Sequence, residues 1–154
     1  MDITNRKVMP KGALVVILHT CEFPDGNSWA KTIAKASIKV LSSKDEAGLL
    51  AWDMSGDSWI FPLTSVSKYE SMVQKINNCE PADMPSFVGT MEMALSGLKT
   101  SDASQKHVII ISDGDPSPPS ATLLNKFKAA KITISTVCVD GFHQGQFIKP
   151  MKLI

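Results

Sequence analysis

Two apolar runs, Ala13 to Leu18 (ALVVIL) and Val108 to Ile111 (VIII), each lead directly into polar residues, and the rest of the chain is arranged around them. A half-exposed strand alternates apolar and polar positions, so unbroken runs predict strands covered on both faces, as in a parallel sheet flanked by helices. Elsewhere the apolar positions recur at helical spacing. Trp29, Ile33, Ala36 and Val40 predict a crossover helix through Leu41, entered from a loop at Pro24 to Asn27. Tyr69, Met72, Val73 and Ile76 predict a short helix over Lys68 to Asn77, and Cys79 to Pro85 interrupts it. Phe87, Met91, Ala94, Leu95 and Leu98 define a third helix. Leu123, Leu124 and Phe127 define a fourth, introduced by Ser120 and closed by Lys128 and Lys131. Gly48 to Trp52 and Trp59 to Leu63 flank a turn-rich connection of hairpin length, and Pro62, which cannot donate to a ladder, suits an edge strand. Ile132 to Val139 is the next strand. Trp29, Trp52 and Trp59 fall on helix or strand positions and read as core or edge packing. Met1 to Lys11 is an aperiodic polar lead-in, and Asp140 to Ile154 reads as a Gly-rich loop followed by the start of a helix. The order predicts a single doubly wound α/β domain over 12–154, with helices on both faces of a mostly parallel sheet and one antiparallel edge strand.

Composition narrows the function classes. At 154 residues the chain can bury a full core without staples. Sixteen Lys and Arg are scattered and offset by fifteen Asp and Glu, so the net charge of +1 gives no footprint for nucleic acid. No apolar run approaches the roughly 18 residues needed to span a bilayer, and the first residues lack the apolar stretch of a signal peptide. The three cysteines, Cys21, Cys79 and Cys138, form no CxxC pair, and their odd number completes no disulfide framework. A soluble protein with reduced thiols follows, with the cytoplasm as the default compartment.

Candidate chemistry gathers where buried strands end, because sites in open α/β sheets lie beyond the strands' carboxyl ends. Asp113, Gly114 and Asp115 stand there after the central strand. Taken alone, Asp-Gly-Asp-Pro is equally a turn that caps the next helix. Cys21, after the first strand, holds the position of a nucleophile in several hydrolase folds, with His107 or His143 available as base. This gives an alternative reading as a cysteine-dependent hydrolase or amidotransferase-like enzyme. Thr20 and Glu22 flank Cys21 in place of the small residues of a nucleophile elbow, which favours a buried structural thiol.

From Gly12 to about Gly141 the sequence resembles the von Willebrand factor type A (VWA) family. The resemblance rests on ALVVILHT followed by a helix, on GLLAWDMSGDSWIFPL as second and third strands, on the loop and helix around Phe87 to Leu98, and on HVIIISDGDP. It implies a Rossmann-like three-layer sheet with a metal-ion-dependent adhesion site at the ends of the first and fourth strands. It also implies a last helix and sixth strand that are not apparent before Ile154, so an open sheet edge is expected. The family's site takes an Asp-x-Ser-x-Ser motif from the first strand, a Thr from the segment before the fourth, and an Asp after the fourth. Asp113 matches the last and Thr90 is the candidate threonine, but His19, Cys21 and Phe23 replace the first-strand motif. Magnesium and manganese favour oxygen ligands, which imidazole, thiol and phenyl groups do not supply. Glu22, Asp25, Asp83 and Asp115 are oxygen donors that can rebuild a different site, and zinc on His19, Cys21 and Asp113 is the softer alternative. A degenerate site is favoured over both, with His19 paired to Asp113 or Glu22 and no ion. The expected function is a non-catalytic binding or assembly module. It would engage a protein partner, or other domains of a longer parent chain, through a rim containing Cys21, Asp25, Asp83 and His143.

Overall fold

The computed structural model describes residues 10–19, 26–139, 142–143 and 146–147. Their elements are β1 (Gly12–Leu18), α1 (Gly26–Lys39), β2 (Glu46–Asp53), β3 (Gly56–Ser65), α2 (Tyr69–Asn78), α3 (Val88–Thr100), β4 (Gln105–Ser112), α4 (Ala121–Ala129), β5 (Ile132–Cys138), β6 (Phe142–His143) and β7 (Gln146–Phe147). The five long strands form one sheet in the order β3-β2-β1-β4-β5, and β6 and β7 pair separately. All neighbours in the sheet are parallel except β2 and β3, the antiparallel hairpin expected at the edge.

Alternation along the central strands sorts the core into two layers. Ala13, Val15 and Ile17 of β1, with Val108 and Ile110 of β4, face α3 and α4, meeting Met91, Leu95, Leu98, Leu123 and Phe127. Leu14, Val16 and Leu18, with Ile111, face the other way onto Ala30, Ala34 and Ile38 of α1 and Met72 and Ile76 of α2. The unbroken apolar runs are therefore explained by helices on both faces. The register places Leu14 beside His107 and Leu18 beside Ile111, so β1 and β4 end level with each other.

Several local features depart from the sequence reading. In α1 the buried stripe is Ala30, Ala34 and Ile38, not Trp29, Ala36 and Val40. Trp29 is 64% exposed and Val40 83% exposed. Ala30, Ala34 and Ile38 pack on the sheet, with Ile33 partly buried beside them, and Trp29 and Val40 fall off that stripe. Trp52 and Trp59 do pack against the core, as expected. The hairpin strands run longer than their apolar cores, and Gly56 at φ 130° supplies the left-handed residue at their turn. Of two register irregularities between β2 and β3, the one between Ala47 and Leu49 falls opposite Pro62, which fits its missing donor. Ser120 caps α4 by accepting from the Leu123 amide. Lys131, between α4 and β5, has φ 56°, where glycine is the usual residue. Of the stretch read as a loop and helix start, the described residues 142–143 and 146–147 form the β6–β7 pair.

Candidate functional site

The site lies where β1 and β4 end side by side. His19 extends the β1 ladder by one residue, its amide donating to the Ile111 carbonyl at 3.0 Å. Alternation points its ring to the α3 side, where it is fully buried and meets Phe87 edge-on at 6.4 Å. Ser112 is buried on the same side of β4, two residues beyond Ile110. His19 Nδ1 lies 2.9 Å from Ser112 Oγ and 3.3 Å from Asp113 Oδ1. His19 Nε2 faces Asp83 Oδ1 at 3.2 Å and Asp115 Oδ1 at 3.6 Å. One imidazole therefore sits among three carboxylates.

Two loops bring those carboxylates together. The segment before α3 is laced to the loop after β4, since Ser117 donates its amide to the Pro85 carbonyl at 3.1 Å and Phe87 donates to the Ser117 carbonyl at 3.2 Å. The Ala82 amide donates to the Trp52 carbonyl, anchoring the residue before Asp83 to the end of β2. After β4, the Gly114 amide donates to Ser112 Oγ and the Asp115 amide to Asp113 Oδ1, so backbone turns fix both aspartates. A cavity of about 140 Å³ opens beside the cluster and is lined by Phe87, Ser112, Asp113 and Thr136 among others.

Burial and charge set the protonation states. Burial alone drives the His19 pKa down, but hydrogen bonds to Asp113 and Asp83 and the charges of Asp113 and Asp115 outweigh it and hold the imidazole above its usual value. Burial likewise opposes ionisation of Asp113, yet its bonds with His19 and the Asp115 amide hold the carboxyl down at about 2. Asp115 goes the other way: burial first, then the hydrogen bond with Asp113 and its charge, push it up to about 6. The carboxylates thus separate into a firmly ionised residue and one that readily keeps a proton.

Of the residues singled out in the sequence, His19, Asp83, Asp113 and Asp115 are assembled here. The expected pairing of His19 with Asp113 is present. Thr90 is buried, and its hydroxyl donates to the Phe87 carbonyl at 3.2 Å and lies 3.7 Å from Met84 Sδ. Cys21, Glu22 and Asp25 lie outside the described residues, and His143 falls on β6, where only the backbone is described. His107 lies away from the end of β1. It pairs with Leu14 near the opposite end of the strands, about 16 Å from His19 at 3.3 Å per residue. Sequence reasoning missed Ser112, which bridges the imidazole and the Gly114 amide. The only signal for it was its place on the same face of β4 as Val108 and Ile110.

His19, Asp83 and Asp115 offer ligand atoms within 4.8 Å of one another, a group that could hold a metal ion. The set does not fit the magnesium or manganese that the VWA resemblance implies. A nitrogen ligand stands where the first carboxylate belongs, the Asp113 carboxylate is engaged by His19 and the Asp115 amide, and the Thr90 hydroxyl is bonded within its own segment.

No protein-family model and no curated protein matches the sequence. Solved structures match the fold. A von Willebrand factor type A protein from Catenulispora acidiphila aligns with TM-score 0.65 at 14% identity, over 82% of this chain and 32% of its own. The VWA domain of SpRpn10 aligns with TM-score 0.61 at 11% identity, over 84% of this chain and 74% of its own. The vWF domain of the type V pili tip protein Mfa5 from Porphyromonas gingivalis aligns with TM-score 0.54 at 21% identity, over 68% of this chain and 38% of its own. The chain thus spans about a third of the first of these structures and somewhat more of the third. It has a VWA-like, Rossmann-type α/β fold, and no described helix is long and apolar enough to cross a membrane.

Proposed function

We propose that this chain is a non-catalytic protein-binding module of VWA type. It engages a protein partner, or another domain of a longer parent chain, through the loops that follow β1, β4 and β5. His19 replaces the divalent cation as the positive centre of the rim. The observation that carries this reading is the buried imidazole at the end of β1, with one ring nitrogen toward Ser112 and Asp113 and the other toward Asp83 and Asp115. A cation serving as an adhesion centre needs open coordination positions and ionised carboxylates. Here the ring occupies the space between the carboxylates. Asp83, whose side chain is 60% exposed, is the member of the cluster most open to a partner. The VWA-like folds of a pilus tip protein domain and of the SpRpn10 domain agree with a binding role.

The test is a thermal-unfolding scan of metal-stripped protein with magnesium, manganese, calcium or zinc, beside Asp113→Ala. An ion that binds only the folded state at a hundred times its dissociation constant adds about 2.7 kcal/mol. No shift with magnesium, manganese or calcium is expected; a shift with any of them that disappears in Asp113→Ala overturns the cation-free reading. One arrangement favours zinc as a second reading. Asp113 at Nδ1 leaves Nε2 facing Asp83 and Asp115, as in a carboxylate–histidine–zinc arrangement. A shift with zinc alone, lost in both Asp83→Asn and Asp115→Asn, would establish it. Residue-resolved thiol labelling near neutral pH tests the non-catalytic assignment: slow reaction at Cys21 is expected, and rapid selective reaction there would favour the cysteine-dependent enzyme.

A further inference from the structure

Charge is sorted along the strands. Residues 51–60, 79–92 and 111–124 carry the chain across the carboxyl ends of β2, β1 and β4, and they contain Asp and Glu but no Lys or Arg. Residues 20–25, between β1 and α1, add Glu22 and Asp25 and again no Lys or Arg. The opposite end mixes both signs, and there Lys11 pairs with Glu46 and Asp102. Lys31 and Lys75 stand on α1 and α2, across the sheet from α3, and Lys31 donates to the Asn77 carbonyl at 3.0 Å. Lys126 lies more than a turn into α4, which flanks α3 on the side away from the β2–β3 hairpin. His19 is the positive group at the acidic end, and it is fully buried among Asp83, Asp113 and Asp115.

The exposed carboxylates share this end with exposed apolar side chains. Asp57 lies against the first turn of α3, so close that a Cβ on Gly89 would collide with its carboxylate. That contact shields the carboxyl enough to raise its pKa, and no hydrogen bond or charge among the described residues opposes the shift. The Ala82 amide donates to the Trp52 carbonyl at 2.8 Å, which joins the same hairpin to the residue before Asp83. Met54 occupies the two-residue turn between Asp53 and Gly56, where Asn, Asp or Gly is usual. Its side chain is 86% exposed, so the fold gains almost no burial from it. Val88, which opens α3, is exposed as well. Flexible methionines beside other exposed apolar groups suit a contact surface.

We propose that the partner engaged here is a cationic protein segment, whose Lys or Arg residues meet Asp57 and Asp83 while an apolar residue beside them covers Met54. The inference rests on the binding reading above and adds the chemistry of the partner. Asp83 is open to solvent, and Asp57 is the carboxylate that an incoming ammonium or guanidinium would satisfy. A partner rich in Glu or Asp would meet like charge, with no Lys or Arg in these segments to receive it.

The test is fluorescence anisotropy of three short labelled peptides with the full chain: one of lysine and leucine, one with serine in place of leucine, and one with glutamate in place of lysine. The first should bind, with affinity falling as salt rises; the second should bind more weakly and the glutamate peptide not at all. Asp57→Asn, Asp83→Asn and Met54→Ser should each weaken binding about threefold, whereas Asp102→Asn, at the opposite end, should leave it unchanged. Thermal unfolding of each variant confirms that it is folded, and Asp57→Asn, which breaks no bond of the fold, carries the test if Asp83→Asn is unstable. Absence of binding by the folded parent overturns the proposal. So does a loss in Asp102→Asn equal to that in Asp57→Asn, or binding unchanged in Asp57→Asn. Tight binding of the glutamate peptide, weakened in Met54→Ser, would overturn the cationic partner and uphold a binding surface at this end; the binding reading itself falls separately, through the thiol labelling above. Nuclear Overhauser contacts in the free chain between Met54 and residues 1–9 or 148–154 would make the cation the chain's own, which also overturns the proposal.

Discussion

Asp115→Asn is expected to stabilise the protein at pH 8 and to leave it unchanged at pH 4, although it removes a carboxylate from beside a histidine. Asp115 is pushed up to about 6 from an ordinary 3.8, so the folded protein holds its ionised form less comfortably than the unfolded chain does. A carboxyl with a raised folded pKa contributes stability that is complete below about 3.8 and is lost as pH rises through about 6. Taken at face value that gap is worth at most about 3 kcal/mol. The side chain is 24% exposed, so solvent screening reduces the figure to about 1 kcal/mol. The amide keeps the shape and removes the charge. Part of the gain is returned because His19, whose pKa is raised partly by the charge of Asp115, loses that attraction. Asp113 works with the opposite sign: held down at about 2, it stabilises above about 3.8 and its contribution fades as pH falls toward 2, in parent and variant alike. The assay is thermal unfolding of both proteins in chelator at pH 4 and pH 8. A gain of about 1 kcal/mol corresponds to about 2–4 °C in a domain of this size. A variant less stable than the parent at pH 8, or a difference that is the same at both pH values, refutes the reasoning.

Four further substitutions probe the frame that holds the site. Gly48→Ala places a Cβ 2.8 Å from the Trp59 ring and 3.1 Å from the Leu63 backbone nitrogen, and should cost about 1–3 kcal/mol in urea unfolding because backbone there cannot yield. Ser120→Ala removes the acceptor for the Leu123 amide at the start of α4 and should cost about 1 kcal/mol, read by the same method. Leu98→Ala, in the fully buried face of α3, should cost about 2–5 kcal/mol, whereas Trp29→Ala on the exposed face of α1 should stay within about 0.5 kcal/mol.

What the sequence disclosed, and what it hid, has a physical pattern. Buried strands of a parallel sheet carry a signal no solvent-facing element imitates, so β1 and β4 were evident from ALVVIL and VIII, and the polar residues after them marked the site. The buried face of α1 differs from the sequence reading because two of its three fully buried residues are alanines, whose low hydrophobicity lets a nearby tryptophan and valine dominate the pattern. Asp83 could be named as an oxygen donor but not placed against His19. Its position depends on the Ser117–Pro85 and Phe87–Ser117 hydrogen bonds between loops about thirty residues apart in the chain, and no local pattern encodes those. Ser112 was hidden for a related reason: it became visible only once the level ends of β1 and β4 put it beside a residue from another strand.

A cation in the rim would change the behaviour of the two loop aspartates. A divalent cation held by carboxylates favours ionisation of every one of them, so each would be driven down together. Without a cation, His19 and the Asp115 amide hold Asp113 down against its burial, whereas burial and then Asp113 push Asp115 up. A resident cation would reverse the prediction for Asp115→Asn: removing a ligand would destabilise the loaded protein at pH 8 and have no benefit to offset it. Comparing that variant with its parent at pH 8, first in chelator and then with each cation, therefore yields a sign as well as a size. A gain under every condition leaves His19 as the positive centre of the rim. A gain in chelator that becomes a loss with one cation identifies that ion and makes Asp115 one of its ligands.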